Sequence, residues 1–285
     1  MTEKIGLIAG SGRFPILFAE EARRMGVAVI AIGISGVTDP ALEKLVLSLE
    51  YFKLGQISKP IAVFKKEGIS RAVMAGKVQH ASLFGGIVPD LRAAKLLWRV
   101  KDRRTDTILG AVASELKEEG IELLPSTTFL SHLLVSDGIL THRKPNKEEL
   151  EDISLGWRAA KAVASFDIGQ TVVASDRAIV AVEGMEGTDS CILRAKDIVR
   201  ARGEKPTLTV VKVAKPRQDL RFDIPIIGLE TLKVCAEASV SALALEAGST
   251  MIFDKEKFIK QADAQGLSIV GYPSLGPESS QGVLE

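Results

Sequence analysis

Cysteine is almost missing from this 285-residue chain, and histidine and aromatic residues are scarce. Cys191 and Cys235 form no C-x-x-C pair, and His80, His132 and His142 have neither triad-like nor metal-like spacing, so a zinc site is excluded. Both cysteines lie among apolar residues and read as small core side chains, which fits a reducing, cytosolic compartment. Aromatics make up 5% of the chain, and no basic stripe is interleaved with stacking residues. With 37 basic and 36 acidic side chains there is no global field to recruit nucleic acid, so no nucleic-acid partner is expected. No uncharged apolar run approaches the roughly 18 residues of a membrane span. The N-terminus lacks a basic segment followed by an apolar one, so no signal peptide is expected. G-x-S-x-G is absent, which argues against an α/β-hydrolase. Neither Tyr51 nor Tyr272 has Lys four residues on, which argues against an epimerase. There is no internal repeat and no low-complexity domain.

What is present is a soluble, globular composition, 46% hydrophobic and 26% charged, in a chain long enough for two domains. The first third alternates strand and helix patterns. Lys4–Ala9 reads as a strand, Arg13–Met25 as an amphipathic helix, Val27–Ile32 as a strand, Ile57–Glu67 as a helix and Arg71–Ala75 as a strand. Helical patterns near 89–101 and 105–119 and a short strand over 121–124 follow. Such alternation with short links predicts a parallel sheet covered by helices. Around residues 137–146 the composition turns polar and reads as a linker. Beyond it come a helix to about Phe166, two β-rich runs, Gln170–Ala174 and Ala178–Val182, a helix over 191–201, a strand over 207–213, and mixed segments to Val270. The expectation is an α/β protein: an N-terminal Rossmann-like parallel-sheet domain over 1–136, a linker over 137–146, a C-terminal mixed α/β (α+β) domain over 147–273, and a mobile tail over 274–285.

The densest charged motif runs from Lys215 to Gly228. Lys215, Arg217 and Arg221 alternate with Asp219 and Asp223 within nine residues, and Pro216 and Pro225 keep the segment out of a regular helix. Cations hold an anionic phosphate ester, while carboxylates hold a divalent metal or activate water. A solvated turn with internal ion pairs reads the same residues equally well. Gly10-Ser11-Gly12 follows a strand and opens a helix, as in a phosphate-cradling first turn; Pro15 spoils the dinucleotide fingerprint, and a tight glycine turn is the plainer alternative. Lys77 follows Gly76 at the carboxyl end of a predicted strand, where ligands bind in parallel sheets. Lys101–Asp106 reads as a solvated helix cap. Glu183-Gly-Met-Glu186-Gly187-Thr188-Asp189 brings three carboxylates and two glycines ahead of a helix, either to meet a cation or to cap the helix.

In this order, Gly10-Ser-Gly, Gly76-Lys77, Gly169-Gln170, Val182–Asp189 and Lys215–Gly228 resemble the LpxI-type UDP-2,3-diacylglucosamine pyrophosphatases over about residues 4–272. The resemblance implies a Mg²⁺-assisted hydrolase of lipid A biosynthesis that releases UMP and 2,3-diacylglucosamine 1-phosphate, with two domains clasping the lipid-linked UDP-sugar. Asp223 matches the family's essential aspartate. On this resemblance Asp223, Asp219 and Asp189 become candidate metal ligands. Asp223, Asp219, Lys215 and Arg221 become the catalytic group, Lys215 and Arg221 stabilising developing charge. Substrate contacts fall to Gly10, Ser11, Gly12, Lys77, Gln170, Glu186, Gly187 and Thr188. A cytoplasmic protein touching the inner membrane face is implied, and homo-oligomer formation stays open. The alternative reading is a non-catalytic nucleotide- or sugar-phosphate-binding regulator, and a nucleotide-sugar transferase stands third.

Overall fold

Apolar runs bounded by glycine become buried strands, and these set the architecture of the computed structural model, which describes residues 3–78, 89–100, 105–203, 207–216 and 218–277. Two units emerge, one formed by Met1–Ser131 with Asp219–Asp223, the other by His132–Gln218 with Ile224–Glu285.

In the first unit the strands are β1 (Lys4–Ala9), β2 (Ala28–Ile34), β3 (Ser48–Phe52), β4 (Arg71–Ala75) and β5 (Glu122–Leu123). All pair in parallel, in the order β3-β2-β1-β4-β5. Helices α1 (Phe14–Arg24), α2 (Ser58–Lys66), α3 (Leu91–Arg99) and α4 (Thr105–Glu118) connect or cover them. One core packs Ile30, Ile32, Phe64, Ala72, Leu116 and Ile121 together. Phe64 is completely buried, which contributes about 1.5–3 kcal/mol relative to an exposed ring. The order reverses direction at β1, so β1 and β4 flank the switch point where open α/β sheets take their ligands.

The second unit is built on six strands in the order β6-β13-β11-β9-β7-β8. These are β6 (Gly138–Ile139), β7 (Thr171–Ser175), β8 (Ala178–Val182), β9 (Leu208–Lys212), β11 (Val240–Glu246) and β13 (Ser268–Tyr272). β9, β11 and β13 run parallel, while β6, β7 and β8 join antiparallel, giving the mixed sheet expected. A two-stranded pair, β10 (Ile226–Ile227) with β12 (Met251–Ile252), lies outside this sheet. Strand side chains alternate faces. Val172, Val211, Ala244 and Val270 meet Ile153, Trp157 and Ala160 of α5 (Lys147–Ser165). Val173, Val210, Leu243 and Ile269 face α6 (Thr188–Ala201), α7 (Leu229–Glu237) and α8 (Lys255–Ala264). Cys191 and Cys235 belong to that second face, where burial pushes their thiols up to about 11 and about 12. They are core residues, as expected.

Three boundaries differ from the sequence reading. Residues 137–146 are not a linker. Gly138 and Ile139 pair with β13, the Thr141 hydroxyl accepts the Ile269 N–H at 2.8 Å, and Arg143 forms a two-pronged contact with Glu149 at 2.9 and 2.8 Å. Glu149 also closes a capping box with Asn146 at the start of α5. Polar composition hid a two-residue edge strand followed by side chains that make paired contacts. The segment Asp219–Asp223, expected in the C-terminal domain, belongs to the first unit. The tail expected from residue 274 begins in contact with α5. Ser274 lies 3.3 Å from Lys161 Nζ, and a Cβ on Gly276 would sit 2.5 Å from the Trp157 indole nitrogen. The rest of the expected tail, 278–285, lies outside the described residues, as do His80 and Arg217.

Candidate functional site

At the switch point of the first unit, the ends of β1 and β4 lock together. Gly10 N–H donates to Ala75 O at 2.8 Å, Ser11 N–H to Lys77 O at 2.8 Å, and Lys77 N–H to Ser11 O at 3.0 Å. The Ser11 hydroxyl also donates to Lys77 O, at 2.8 Å. A Cβ on Gly10 would meet Lys77 O at 2.8 Å. One on Gly76, whose φ is +98°, would meet Ser11 O at 2.7 Å. Two glycines are therefore required by this crossing. Gly10, Ser11, Gly12 and Lys77 thus share one edge, as the strand-end argument expected. The amides of Gly10 and Ser11, however, are taken up by the chain itself. The positive end of the turn is the start of α1, which has no side-chain cap.

The charged loop docks beside this edge. Buried Ser126 donates its N–H to Leu220 O at 2.7 Å, and its hydroxyl lies 2.8 Å from both Met74 O and Arg221 O, donating to one at a time. Met74 belongs to β4, so residues 219–223 are pinned next to the strand that leads into Gly76-Lys77. Phe222 packs against the first unit's core. Within the loop, Asp223 N–H donates to Asp219 O at 3.0 Å. The Asp219 carboxylate receives Arg221 Nε at 2.9 Å and a terminal guanidinium nitrogen at 2.6 Å. Its hydrogen bonds with the Arg221 side chain hold its pKa below the usual carboxylate range, against a smaller opposing effect of burial; the same contact raises Arg221. Asp219 is thereby the partner of Arg221.

In the second unit a cleft of about 250 Å³ opens at the end of β9. Asp167, Gly169, Gln170, Glu183, Lys212 and Lys215 are among its lining residues. Its floor is a buried ion network. Glu183 accepts Gln170 N–H at 3.0 Å and the Thr188 hydroxyl at 2.9 Å. Lys212 Nζ donates to Thr188 Oγ1 at 2.7 Å and to Thr171 Oγ1 at 3.3 Å. Burial alone would raise the Glu183 pKa. The Lys212 charge, the Thr171 and Thr188 hydroxyls and the Gln170 amide outweigh it and hold the carboxyl below its ordinary value. A side chain on Gly169 would collide with Glu183 O, so glycine there lets the 169–170 backbone reach the carboxylate. At the rim, Lys215 Nζ meets Asp167 at 2.7 Å, and Gln218 accepts from Lys215 N–H at 2.8 Å and from Gln170 Nε2 at 3.4 Å.

Of the expected site residues in this unit, Gln170 and Lys215 line the cleft and Thr188 ties its floor. Gly187, at φ +84°, caps α6 beside it. Glu186 turns to Arg194 at 2.5 Å and to Gly184 N–H, and is not among the lining residues. Asp189 starts α6, where its charge bears on Cys235; its Oδ1 is buried without a hydrogen-bond partner. Asp223 and Asp219 belong to the first unit and Asp189 to the second. Among the described residues no three His, Cys, Asp or Glu side chains gather as a metal site. Lys212 and Asp167 were missed, and Glu183 was read as one of three carboxylates that could meet a cation without being assigned to the site. One signal was legible: Lys212 ends the fully buried strand β9, just before Val213 and Ala214, and a buried lysine needs a partner.

Charged and amide groups gathered at the strand ends of two α/β units define a two-unit protein of the class that takes ligands at the carboxyl edges of its sheets. Comparison with known proteins narrows this. The LpxI N-terminal domain matches residues 4–133, and the LpxI C-terminal domain matches residues 136–270. The UDP-2,3-diacylglucosamine pyrophosphatase LpxI of Caulobacter vibrioides is 30% identical over 274 residues, 94% of this chain and 97% of that protein. The chain belongs to the LpxI family. It also resembles part of the bifunctional purine biosynthesis protein PurH of Bacillus subtilis, at 33% identity over 46% of this chain and 22% of that protein.

Proposed function

We propose that this chain is a hydrolase of lipid A biosynthesis that cleaves the pyrophosphate bond of UDP-2,3-diacylglucosamine, giving UMP and 2,3-diacylglucosamine 1-phosphate. The observation that carries the reading is similarity along nearly the full length to a pyrophosphatase of that name, with both domains of the family in order. In the reaction, water adds to one phosphorus and the bridging oxygen leaves with the other phosphate. The chain must therefore hold two anionic phosphates and orient a water.

Its own residues suit those tasks. Lys77, at the edge of the first sheet, and the uncapped start of α1 favour a phosphate or the uridine end of the nucleotide. Arg221, oriented by Asp219, carries charge that a phosphate oxygen can share. Lys215 and the backbone near Gln170 line the second unit's cleft, which suits a sugar phosphate. Asp223 holds the attacking water or takes its proton.

The set Asp223, Asp219 and Asp189 does not fit a preformed metal cage, because Asp219 is bound by Arg221 and no three ligands gather among the described residues. Mg²⁺ takes only one or two protein carboxylates and completes its shell with water and phosphate oxygens. One carboxylate, Asp223 by the family resemblance, would suffice, and the ion would then supply charge neutralisation to the pyrophosphate. Among the described residues no helix is long and apolar enough to cross a membrane. The diacylated substrate is reached from the cytoplasmic membrane face.

The test is UMP release from the lipid substrate by purified protein, with Mg²⁺ and with a chelator. No release under either condition would move the reading to the non-catalytic binder. Release that survives the chelator would remove the metal and keep the hydrolase.

A further inference from the structure

The helix α3 (Leu91–Arg99) is anchored on one side and bare on the other. Ala93 and Leu96 are buried. Arg92 bridges to Glu115 at 3.1 Å and Glu119 at 2.5 Å. Asp90 caps the helix by accepting Ala93 N–H at 2.8 Å, and it also accepts Ser58 N–H at 2.8 Å. These contacts fix the inner face. At about 100° per residue, Leu91, Ala94, Leu97 and Trp98 fall together on the opposite face. Leu91 is 85% exposed, Leu97 45% and Trp98 90%. Beside this stripe stand Lys95 and Arg99, both exposed, and the helix itself contains no acidic residue.

A tryptophan and two leucines thus stand exposed together on one helix. Four apolar residues bordered by cations match the boundary between lipid headgroups and acyl chains, where tryptophan rings settle and basic side chains meet anionic lipid. A second copy fits poorly. Twofold pairing through this stripe would set Lys95 and Arg99 against their own counterparts with no acid on the helix to offset them.

The geometry points to α3 as the surface by which the protein docks on an anionic phospholipid bilayer, with Leu91, Leu97 and Trp98 entering the headgroup boundary and Lys95 and Arg99 contacting lipid phosphates. This deepens the proposed function and rests on it, since a diacylated substrate resides in such a bilayer.

The chain has two tryptophans, and Trp157 is buried at 4% exposure, so Trp98 reports on the docking. Vesicles of phosphatidylglycerol mixed with phosphatidylcholine should shift tryptophan emission to the blue and sediment the full-length protein. Phosphatidylcholine alone should do so far less, and high salt should weaken both signals. A Leu91→Gln/Trp98→Gln variant should lose sedimentation and keep its melting temperature. Its UMP release should be unchanged on detergent-dispersed substrate and fall roughly tenfold on substrate embedded in vesicles. Equal sedimentation of wild type and variant would overturn the proposal. So would a blue shift that grows with protein concentration alone and accompanies dimer formation. An inactive wild type that still binds vesicles would sink the proposed function while leaving the docking surface standing.

Discussion

Asp223 and Asp219 sit four residues apart, and their surroundings give them different tasks. Asp219 is taken up by Arg221, so its role is to hold that guanidinium. Asp223→Asn keeps the shape and loses the charge, so turnover should fall by about three or more powers of ten with little change in melting temperature. Turnover and thermal unfolding on one preparation check this, and near-normal turnover would remove Asp223 from the mechanism. Asp219→Asn should be milder, lowering turnover roughly 10–100-fold by loosening Arg221. In the second unit, Lys212→Met leaves Glu183 buried without its cation and should cost about 3–5 kcal/mol of stability, read from denaturant melts. Adding Glu183→Gln should restore much of that loss. The pH sign follows from the lowered Glu183 pKa. Its stabilisation is fully present above the ordinary glutamate value of 4.5 and is lost as pH falls through the lower folded value. The stability gap between wild type and Glu183→Gln should therefore be widest near neutral pH and close in acid. A gap independent of pH would mean that ionised Glu183 does not carry it.

Among elements, the decisive joint is where β1 and β4 touch beyond their ends. Gly76→Ala combines a left-handed φ with a clash against Ser11 O, so it should destabilise by about 1–3 kcal/mol. Lys77 should then shift away from α1. Ser126→Ala should leave neighbouring carbonyls without a donor, at about 1–3 kcal/mol, and lower UMP release because the 219–223 loop loses its pin. Unchanged release from a folded Ser126→Ala protein would mean that this loop need not be held there. Sequence patterns found β1, β4 and β8 to the residue, because each is an apolar run closed by a glycine or a turn. They missed β3, an edge strand with two exposed residues, and β6, two residues inside a polar stretch. Both are specified by the partner strand rather than by their own composition. The site was legible where charge was dense, at Lys215–Asp223. It was not legible where a contact joins distant segments, as between Lys212 and Thr188 or Ser126 and Arg221, since one sequence carries no mark of such pairs.

Across the whole molecule, residues 219–223 leave the second unit, meet the first, and return. The strands β9 and β10 on either side of the loop both belong to the second unit. A fragment of residues 1–131 lacks Phe222 and the Leu220 and Arg221 carbonyls that Ser126 meets. Its melting temperature should rise when fragment 132–285 is added, and an unchanged melt would count against docking of the loop.

That excursion also sets a schedule for the nascent chain. Ser126 and Arg221 are 95 residues apart. At about 5–20 residues per second, the first unit waits roughly 5–20 s after leaving the ribosome before the segment that completes it is made. During that interval the apolar side chains that Phe222 packs against lack it, so a chain stalled after the first unit would leave them less covered. Asp223 comes with the same late segment, so the hydrolysis proposed for it would begin only after residues 219–223 have reached the first unit.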